Sequence, residues 1–369
     1  MNRTIFRTYS IYFIVLALFV GIRISANLGA FNFMPSEIGN SYVATIIIQI
    51  VLMFLLTLGL SCLLFKEKPK QVFKDFRFKK ISFKAVLISF GIGILLFFLN
   101  LIVASFFSSI LAGLGYSSGG GSGSSYSYDT FWKFLGGAFF VAVLPGFCEE
   151  FLHRGLLMRK VGDNRNYKFA IIISAVCFGL MHLNIEQFFY ATILGIIIGF
   201  VGAVSDSIFP CMILHFCNNF ISVYLSYAST NNLFGGDFYK VLNNLISNNP
   251  PVFTFMFVLF VGFLIVAGLV FLIIKLFNET KAKDLQKALV NVQKEVSGDD
   301  LENVPQEQIA TDFKSYVLPH LKDNENVLNF FLPAPVLGYK RNLADNIFLI
   351  ASMFLGILIT IFTFVWGVL

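Results

Sequence analysis

The chain has 369 residues, of which 57% are hydrophobic and only 13% are charged. Soluble globular domains carry about 25% charged residues, so this composition excludes an ordinary soluble domain and predicts a polytopic membrane protein. The net charge of +6 is concentrated in loops between apolar runs. Basic loops of this kind are typical of the cytoplasmic side of a membrane protein. We therefore expect membrane lipids, and no nucleic acid, among its partners.

Apolar runs of helical length predict an all-α fold, a polytopic transmembrane helical bundle of about eight or nine spans. Two basic loops, residues 66–84 and 159–168, are placed inside by the positive-inside rule. The alternation of loops then predicts a multi-pass protein of a cell membrane with its N-terminus in the cytoplasm, and the Lys- and Phe-rich composition suggests a bacterial source. The nine candidate spans cover residues 9–29, 42–65, 84–115, 131–161, 168–183, 186–205, 207–228, 252–277 and 344–368.

Six polar side chains fall within three neighbouring apolar segments. An ionisable group at the bilayer centre costs ~2.5–3.5 kcal/mol on insertion scales, so such groups tend to face a polar interior and to mark a functional site. Depth is counted from the basic or polar end of each span at about 1.5 Å per residue. On this count Glu149, His182, His215 and Asn219 lie at depths of ~12–21 Å. The six residues are Glu149, Glu150, Arg154, His182, His215 and Asn219.

The spacing of these residues suggests different roles for the two carboxylates. Glu150 and Arg154 are four residues apart, so they share a helix face and can form an ion pair. Glu149 points about 100° away, which leaves it free to face a water molecule. His215 and Asn219 are also four residues apart and can point into one cavity. A purely structural Glu150–Arg154 ion pair remains an equal alternative for those two residues.

Two kinds of hydrolytic chemistry fit this set. Glu149, His182 and His215 could bind zinc and leave an open position for water. Alternatively, Glu149 could act as a general base without a metal, assisted by a histidine, while Asn219 and a histidine donate hydrogen bonds to a developing oxyanion. The chain has no His-Glu-x-x-His zinc signature, so the residues alone leave the choice open.

Three short motifs in order resemble those of the CPBP intramembrane proteases, also called the Abi or CAAX prenyl endopeptidase family. The first is EExxxR at Glu149–Arg154, the second is FxxxH at Phe178–His182, and the third is HxxxN at His215–Asn219. Each motif alone is a weak signal, but three in order on apolar helices are specific. The resemblance covers roughly residues 130–230. His153 departs from the pattern, since the family usually has an aromatic residue there.

The resemblance implies a role for each motif residue. Glu149 and His182 would activate the hydrolytic water, His215 and Asn219 would stabilise the oxyanion, and Glu150 and Arg154 would orient the site. Zinc-dependent and metal-free glutamate mechanisms are both compatible with the family. The implied activity is an intramembrane endopeptidase that acts on a peptide, a lipidated protein or another membrane-associated protein.

The motifs and the apolar runs together predict five segments. These are N-terminal transmembrane helices at 1–129, a catalytic core at 130–230, an additional transmembrane helix with an outer loop at 231–277, a cytoplasmic segment at 278–343 and a C-terminal transmembrane helix at 344–369. The segment 278–343 is rich in both acidic and basic residues and carries none of the three motifs. We expect it to be dispensable for catalysis and to serve regulation or partner choice.

Two other functions compete with the protease. The chain could be a non-proteolytic membrane scaffold of the same fold that regulates an envelope enzyme or a sensor, and the additional C-terminal segments leave room for that role. It could also be a transporter that uses the charged cluster as an ion site, but the sequence shows neither the internal repeat nor the paired broken helices that such proteins have.

Overall fold

A computed structural model of the chain describes residues 2–29, 37–116, 128–247, 250–282 and 343–366. Within these ranges the chain forms helices and turns and no strand. The predicted all-α helical bundle is therefore confirmed. Most of the predicted cytoplasmic segment, residues 283–342, lies outside the described residues.

Several of the long helices are composites of α-helical and π-helical stretches. The elements in chain order are α1 (Arg3–Asn27), α2 (Glu37–Ile46), π1 (Ile47–Leu56), α3 (Thr57–Phe65), α4 (Pro69–Asp75), α5 (Phe83–Gly113), α6 (Phe131–Gly137), π2 (Ala138–Val143), α7 (Leu144–Glu150), π3 (Phe151–Arg159), α8 (Lys160–Asn164), α9 (Tyr167–Met181), α10 (Ile185–Ser205), α11 (Phe209–Thr230), α12 (Phe238–Ser247), α13 (Pro251–Phe277), π4 (Asn278–Ala282), a 3₁₀ turn (Leu343–Asn346) and α14 (Ile347–Trp366).

In the described part of the chain, seven helical stretches are long and apolar enough to cross a membrane. The other two predicted spans are also helices, but they do not meet both conditions. Helix α9 has only 15 residues, and α11 is long enough but carries His215, Asn218 and Asn219 in its interior. The seven stretches are Arg3–Ala26, Ser41–Phe65, Phe83–Gly113, Phe131–Asn164, Ile185–Ser205, Val252–Thr280 and Ala344–Val365.

Small residues let α9 and α10 pack closely. A Cβ atom at Gly195 would lie 3.0 Å from the Cα atom of Ala175, and one at Gly199 would lie 3.2 Å from Cγ2 of Ile171. Either contact is tighter than side chains normally tolerate, so a larger residue would push the helices apart. Gly195 and Gly199 are four residues apart, a spacing of small residues that lets membrane helices approach closely.

Helix α14 returns to the N-terminal side of the bundle. The backbone N–H of Asn2 donates to Oδ1 of Asp345 at 2.7 Å, and the hydroxyl of Thr363 donates to the carbonyl of Leu183 at 2.9 Å. The rings of Phe6 and Phe348 pack edge to face, with centroids 5.1 Å apart. The last helix is thus attached both to α1 and to the turn that follows α9.

Ion pairs connect the basic loops to neighbouring helices. Lys160 Nζ lies 3.1 Å from a carboxylate oxygen of Glu67 and 2.5 Å from one of Asp75. Buried Asp206 lies 3.2 Å from Nε of Arg77 and 3.6 Å from Nη1 of Arg159. Part of the basic charge at this end of the bundle is therefore compensated inside the protein, and these pairs connect the segment between α3 and α5 to the end of the fourth span and to the turn before α11.

Candidate active site

The fourth span changes helical type four times along its length. It runs as α6, π2, α7, π3 and α8 without a break in the described residues. Pro145, near the start of α7, has no N–H, so the carbonyl of Val141 loses its α-helical donor. The side-chain amide of Asn219 takes that place and donates to Val141 O at 2.9 Å. The proline thus opens a backbone acceptor for a residue of the third motif.

Glu150 is the centre of a buried polar cluster. Its Oε1 accepts a hydrogen bond from Nη1 of Arg154 at 2.9 Å, and both side chains have at most 1% of their surface exposed. The predicted ion pair between Glu150 and Arg154 is therefore confirmed. The second Nη of Arg154 donates to the carbonyl of Gly195 at 3.0 Å, which ties the fourth span to α10.

The same carboxylate oxygen also holds His215. Nδ1 of His215 lies 2.8 Å from Oε1 of Glu150. Because an ionised carboxylate only accepts, Nδ1 carries the proton and donates it. Nε2 of His215 is then directed towards Glu149, with 3.9 Å between Nε2 and Oε2 of Glu149. Glu150 thus sets both the orientation and the tautomer of His215.

The two adjacent carboxylates have different surroundings, as their helical spacing predicts. Glu150 is fully buried beside a guanidinium, whereas the side chain of Glu149 is 15% exposed. Glu149 is not free of protein contacts, however. Its Oε1 accepts a hydrogen bond from Nε2 of Gln49 in π1 at 2.7 Å. One of the two oxygens of Glu149 therefore has a protein donor, and the expected contact of this carboxylate with a water molecule stays a prediction.

His182 lies just beyond the helix that was expected to carry it. Helix α9 ends at Met181, and Leu183 then adopts a positive φ of 54°. Nδ1 of His182 lies 2.9 Å from the carbonyl of Phe178. Because a carbonyl only accepts, this contact puts the proton on Nδ1 and leaves the lone pair on Nε2.

Phe178 joins the three histidines of this region. Its ring packs edge to face against His182, His153 and His215, with centroid distances of 4.9, 5.1 and 5.5 Å. The guanidinium of Arg154 lies over the same ring, 4.8 Å from the centroid. The aromatic residue of the second motif therefore separates the histidines while holding each ring in place.

Asn219 belongs to a chain of three side-chain amides. Asn100 of α5 donates to Oδ1 of Asn218 at 3.1 Å, and Asn218 donates to Oδ1 of Asn219 at 3.1 Å. One of the two side-chain N–H groups of Asn219 donates to Val141 O, so the other can donate to a further acceptor. Asn218 belongs to the same series of amides, so the role of Asn219 as the donor at the site stays a prediction.

His153 follows Glu149 by four residues, a spacing at which its ring could contact the Glu149 carboxylate. Its Nδ1 lies 2.8 Å from the backbone carbonyl of Glu149, not from the carboxylate. The side chain is fully buried against Tyr12 and Phe178, and its own backbone carbonyl accepts from the hydroxyl of Ser174. These contacts fit the interpretation of His153 as a structural residue.

The side chains predicted to bind zinc have suitable tautomers but not a three-ligand arrangement. Each of His182 and His215 has its Nδ1 held by an oxygen, which is typical of histidines that bind a metal through Nε2. A catalytic zinc site requires three protein ligands. Among the described residues, however, no group of three His, Cys, Asp or Glu side chains could hold a metal ion. The set Glu149, His182 and His215, as it stands here, does not fit zinc.

Two residues that contact the site were missed by the sequence analysis. Gln49 and Asn100 lie far from the motifs in sequence, and each is an amide within an otherwise apolar run, Ile46–Leu56 for Gln49 and Gly93–Ala104 for Asn100. Such isolated amides at membrane depth are the signal that could have identified them, because each needs a hydrogen-bond partner within the bundle.

Comparison with protein families agrees with the motif-based identification. The family model described as type II CAAX prenyl endopeptidase Rce1-like matches residues 131–221. The match includes all three motifs, from Glu149 to Asn219, and confirms the resemblance to the CPBP proteases over this part of the chain. No curated protein and no solved structure matches the chain.

Proposed function

We propose that this chain, whose residues 131–221 form an Rce1-like protease domain, is an intramembrane endopeptidase. It hydrolyses a peptide bond in a peptide, a lipidated protein or another membrane-associated protein. The observation that carries the proposal is the contact of Glu149 with His215, whose other ring nitrogen is held by Glu150. A partly exposed carboxylate beside an oriented imidazole is the arrangement that activates water.

Glu149 acts as the general base. Its Oε2 accepts one proton from a water molecule, while Nε2 of His182 accepts a hydrogen bond from the other water hydrogen. The water oxygen attacks the carbonyl carbon of the scissile bond and forms a tetrahedral intermediate. The proton held by Glu149 then passes to the leaving nitrogen, the C–N bond breaks, and the products are a carboxylic acid and an amine.

Asn219 and His215 stabilise the oxyanion. The N–H of Asn219 that is not bound to Val141 donates to the negative oxygen. His215 donates from Nε2 only when that nitrogen is protonated, because its other proton is directed at Glu150. Glu150 holds the ring of His215 in this orientation, and Arg154 holds Glu150 in turn.

No step of this mechanism passes through a metal ion. The support for this choice is the ligand geometry, since the described His, Cys, Asp and Glu side chains include no group of three that could hold a metal ion. A zinc-dependent reaction would require Glu149, His182 and His215 to come closer together on binding it.

The orientation in the membrane follows from the basic loops. We infer that the N-terminus and both basic loops face the cytoplasm, because Lys and Arg accumulate there in short loops. Cysteine substitutions at Lys80 and at Tyr239, treated with a membrane-impermeant maleimide in intact cells, test this orientation. We expect labelling at position 239 and none at position 80. Labelling at position 80 would show that the orientation is the opposite one.

Substrate proteomics tests the proposed activity. Membranes that contain the wild-type chain or Glu149→Ala are compared by mass spectrometry for new peptide termini. We expect termini that depend on Glu149, and only a modest loss of thermal stability for the variant. Glu149 forms no Lys or Arg ion pair within the described residues, but buried Gln49 loses its acceptor.

A matched carboxylate variant provides the control. Asp129→Asn removes an exposed carboxylate just before the same span and should leave the pattern of termini unchanged. Identical termini for wild type and Glu149→Ala would contradict the protease and would favour the scaffold of the same fold.

A further inference from the structure

Gln49 lies outside residues 131–221, the part of the chain that matches the Rce1-like family model, and it donates a hydrogen bond to Glu149. It comes from π1 in the second span, 100 residues before its partner, and its Nε2 lies 2.7 Å from Oε1 of Glu149. The side chain is buried, with 6% of its surface exposed. We propose that Gln49 is a positioning residue for Glu149, an inference that rests on the proposed function.

Aromatic contacts before and after Gln49 hold the second span against the fourth span. The ring of Tyr42, seven residues before Gln49, stacks on Phe140 with centroids 4.2 Å apart. Phe54, five residues after Gln49, packs edge to face against Phe147 at 5.1 Å and against Phe151 at 5.0 Å. These aromatic contacts bracket Glu149 along the fourth span. The amide therefore reaches the carboxylate from a fixed helix.

The π-helical geometry of the second span supports the same conclusion. Gln49 lies in the ten-residue π-helix Ile47–Leu56, and π-helical turns in proteins frequently occur at functional sites. Every other residue from Ile46 to Leu56 is apolar. A lone amide within a span carries a desolvation penalty unless it finds a partner, and here Glu149 is that partner.

The chemistry of the donor distinguishes Gln49 from Arg154. Arg154 is a cation and forms a buried ion pair with Glu150. Gln49 is neutral, so it orients Glu149 without compensating its charge. A carboxylate rotates readily about its last torsion, and a donor on Oε1 fixes that rotation with Oε2 towards His215 and the water.

The second polar atom of the Gln49 amide indicates which way round the amide lies. Its Oε1 is buried and has no hydrogen-bond partner among the described residues. The amide cannot turn over without placing this oxygen against the carboxylate, so the donor assignment is fixed by electrostatics. The site is thus assembled from helices on both sides of the domain boundary at residue 130.

Kinetics of two Gln49 variants in the full-length chain test the proposal. Gln49→Met keeps the length of the side chain and suits an apolar span, and Gln49→Glu keeps its shape but replaces the donor with a second carboxylate. With a reporter peptide taken from the Glu149-dependent termini, we expect kcat to fall by about 10- to 100-fold in both, the size of effect that misplacement of a reacting group produces. KM should change by less than about twofold, because Gln49 acts on Glu149 and not on substrate affinity.

Thr57→Val is the matched control. Thr57 is fully buried in the same span and its hydroxyl bonds to the carbonyl of Leu52 in its own helix, so this variant should keep wild-type kcat and KM. If Gln49→Met is too unstable to purify, Gln49→Glu alone decides. Wild-type kcat in either folded Gln49 variant, or an equal loss in Thr57→Val, overturns the positioning role.

An infrared measurement separates this proposal from the proposed function. The carboxylate band of Glu149 is identified by its loss in Glu149→Gln, and Gln49→Met should shift it, because a donor has been removed from one oxygen. An unshifted band overturns the contact whatever the activity. If Glu149→Gln cleaves normally while the band shifts, the protease mechanism fails and the positioning contact stands.

Discussion

The carboxylate of Glu150 lies 2.8 Å from Nδ1 of His215, a contact between residues 65 positions apart in sequence. This contact joins the first motif to the third and decides which nitrogen of His215 faces Glu149. The second residue of the Glu149–Glu150 pair is therefore more than a structural counter-ion for Arg154. It provides the link between the ion pair of the bundle and the imidazole of the site.

Glu150→Gln should reduce kcat as well as stability, because it also leaves the buried guanidinium of Arg154 without its anion. The variant keeps the shape of the side chain but can donate to Nδ1, which would reverse the tautomer of His215. Removal of the carboxylate that orients a histidine in a hydrolytic triad lowers kcat by about 10⁴-fold, so we expect a loss of at least ~100-fold here. Steady-state kinetics with the reporter peptide measure it. A loss below tenfold would mean that His215 keeps its tautomer without Glu150.

Arg154→Ala should lower stability as well as activity. The substitution leaves Glu150 buried without its cation, and breaking a buried pair costs about 3–5 kcal/mol. The melting temperature in detergent measures the loss. Lys133→Ala is the matched control, because Lys133 and Asp129 form an exposed pair with the same four-residue spacing, worth about 0.3–0.5 kcal/mol. Equal melting temperatures for the two variants would show that the Arg154 pair is hydrated.

The ion pair and the long helices are the parts of the structure that the sequence predicts well. Hydropathy identifies a span because apolar length is a local property of the chain. The Glu150–Arg154 contact is local too, since residues four apart share a helix face. Gly195 and Gly199 are also four residues apart, so they share one face of α10, the face that packs closely against α9.

The contacts made by Gln49 and Asn100 could not be predicted in this way. Each contact depends on which helices of the bundle are neighbours. The periodicity of a single sequence does not contain that information. The helical spacing of Glu149 gives its direction but not its partner in π1. Likewise, the acceptor at Val141 arises only where Pro145 interrupts the backbone hydrogen bonds and Asn219 happens to lie opposite.

Asn219→Ala should lower kcat and leave the fold intact. The loss of one oxyanion donor lowers kcat by about 10²–10³-fold in other hydrolases. Only one of the two side-chain N–H groups of Asn219 donates to Val141 O. Asn231→Ala is a suitable control, because Asn231 follows the same helix and bonds to Tyr128 and Tyr227. Kinetics comparable to wild type for Asn219→Ala would transfer the donor role to Asn218.

Chelation should not abolish activity. The described His, Cys, Asp and Glu side chains include no three-ligand group for a metal ion, so protein treated with 1,10-phenanthroline and then desalted should cleave the reporter peptide at the wild-type rate. Elemental analysis of the purified protein should find less than a stoichiometric amount of zinc. Activity that is lost on chelation and restored by Zn²⁺ would instead require Glu149, His182 and His215 to close around the ion.

The segment between α13 and α14 should be dispensable for catalysis, but α14 should not. Thr363 of α14 donates to the carbonyl of Leu183, the residue that follows His182, and a Cβ atom at Gly356 would lie 2.9 Å from Cβ of Leu180. Removal of α14 would therefore loosen the turn that holds His182. We expect a chain whose residues 283–342 are replaced by a flexible Gly/Ser linker to retain kcat and melting temperature.

A chain that ends at Phe277 lacks both the segment and α14. It should still insert, because the basic loops that set its orientation precede the cut, but it should lose activity and melt earlier, because the contacts of α14 with Leu183 and with Asn2 are gone. Reporter cleavage and melting temperature compare it with the linker chain. If the linker chain is inactive although it melts like wild type, residues 283–342 complete the site. If the chain ending at Phe277 is fully active, α14 does not hold His182 in place.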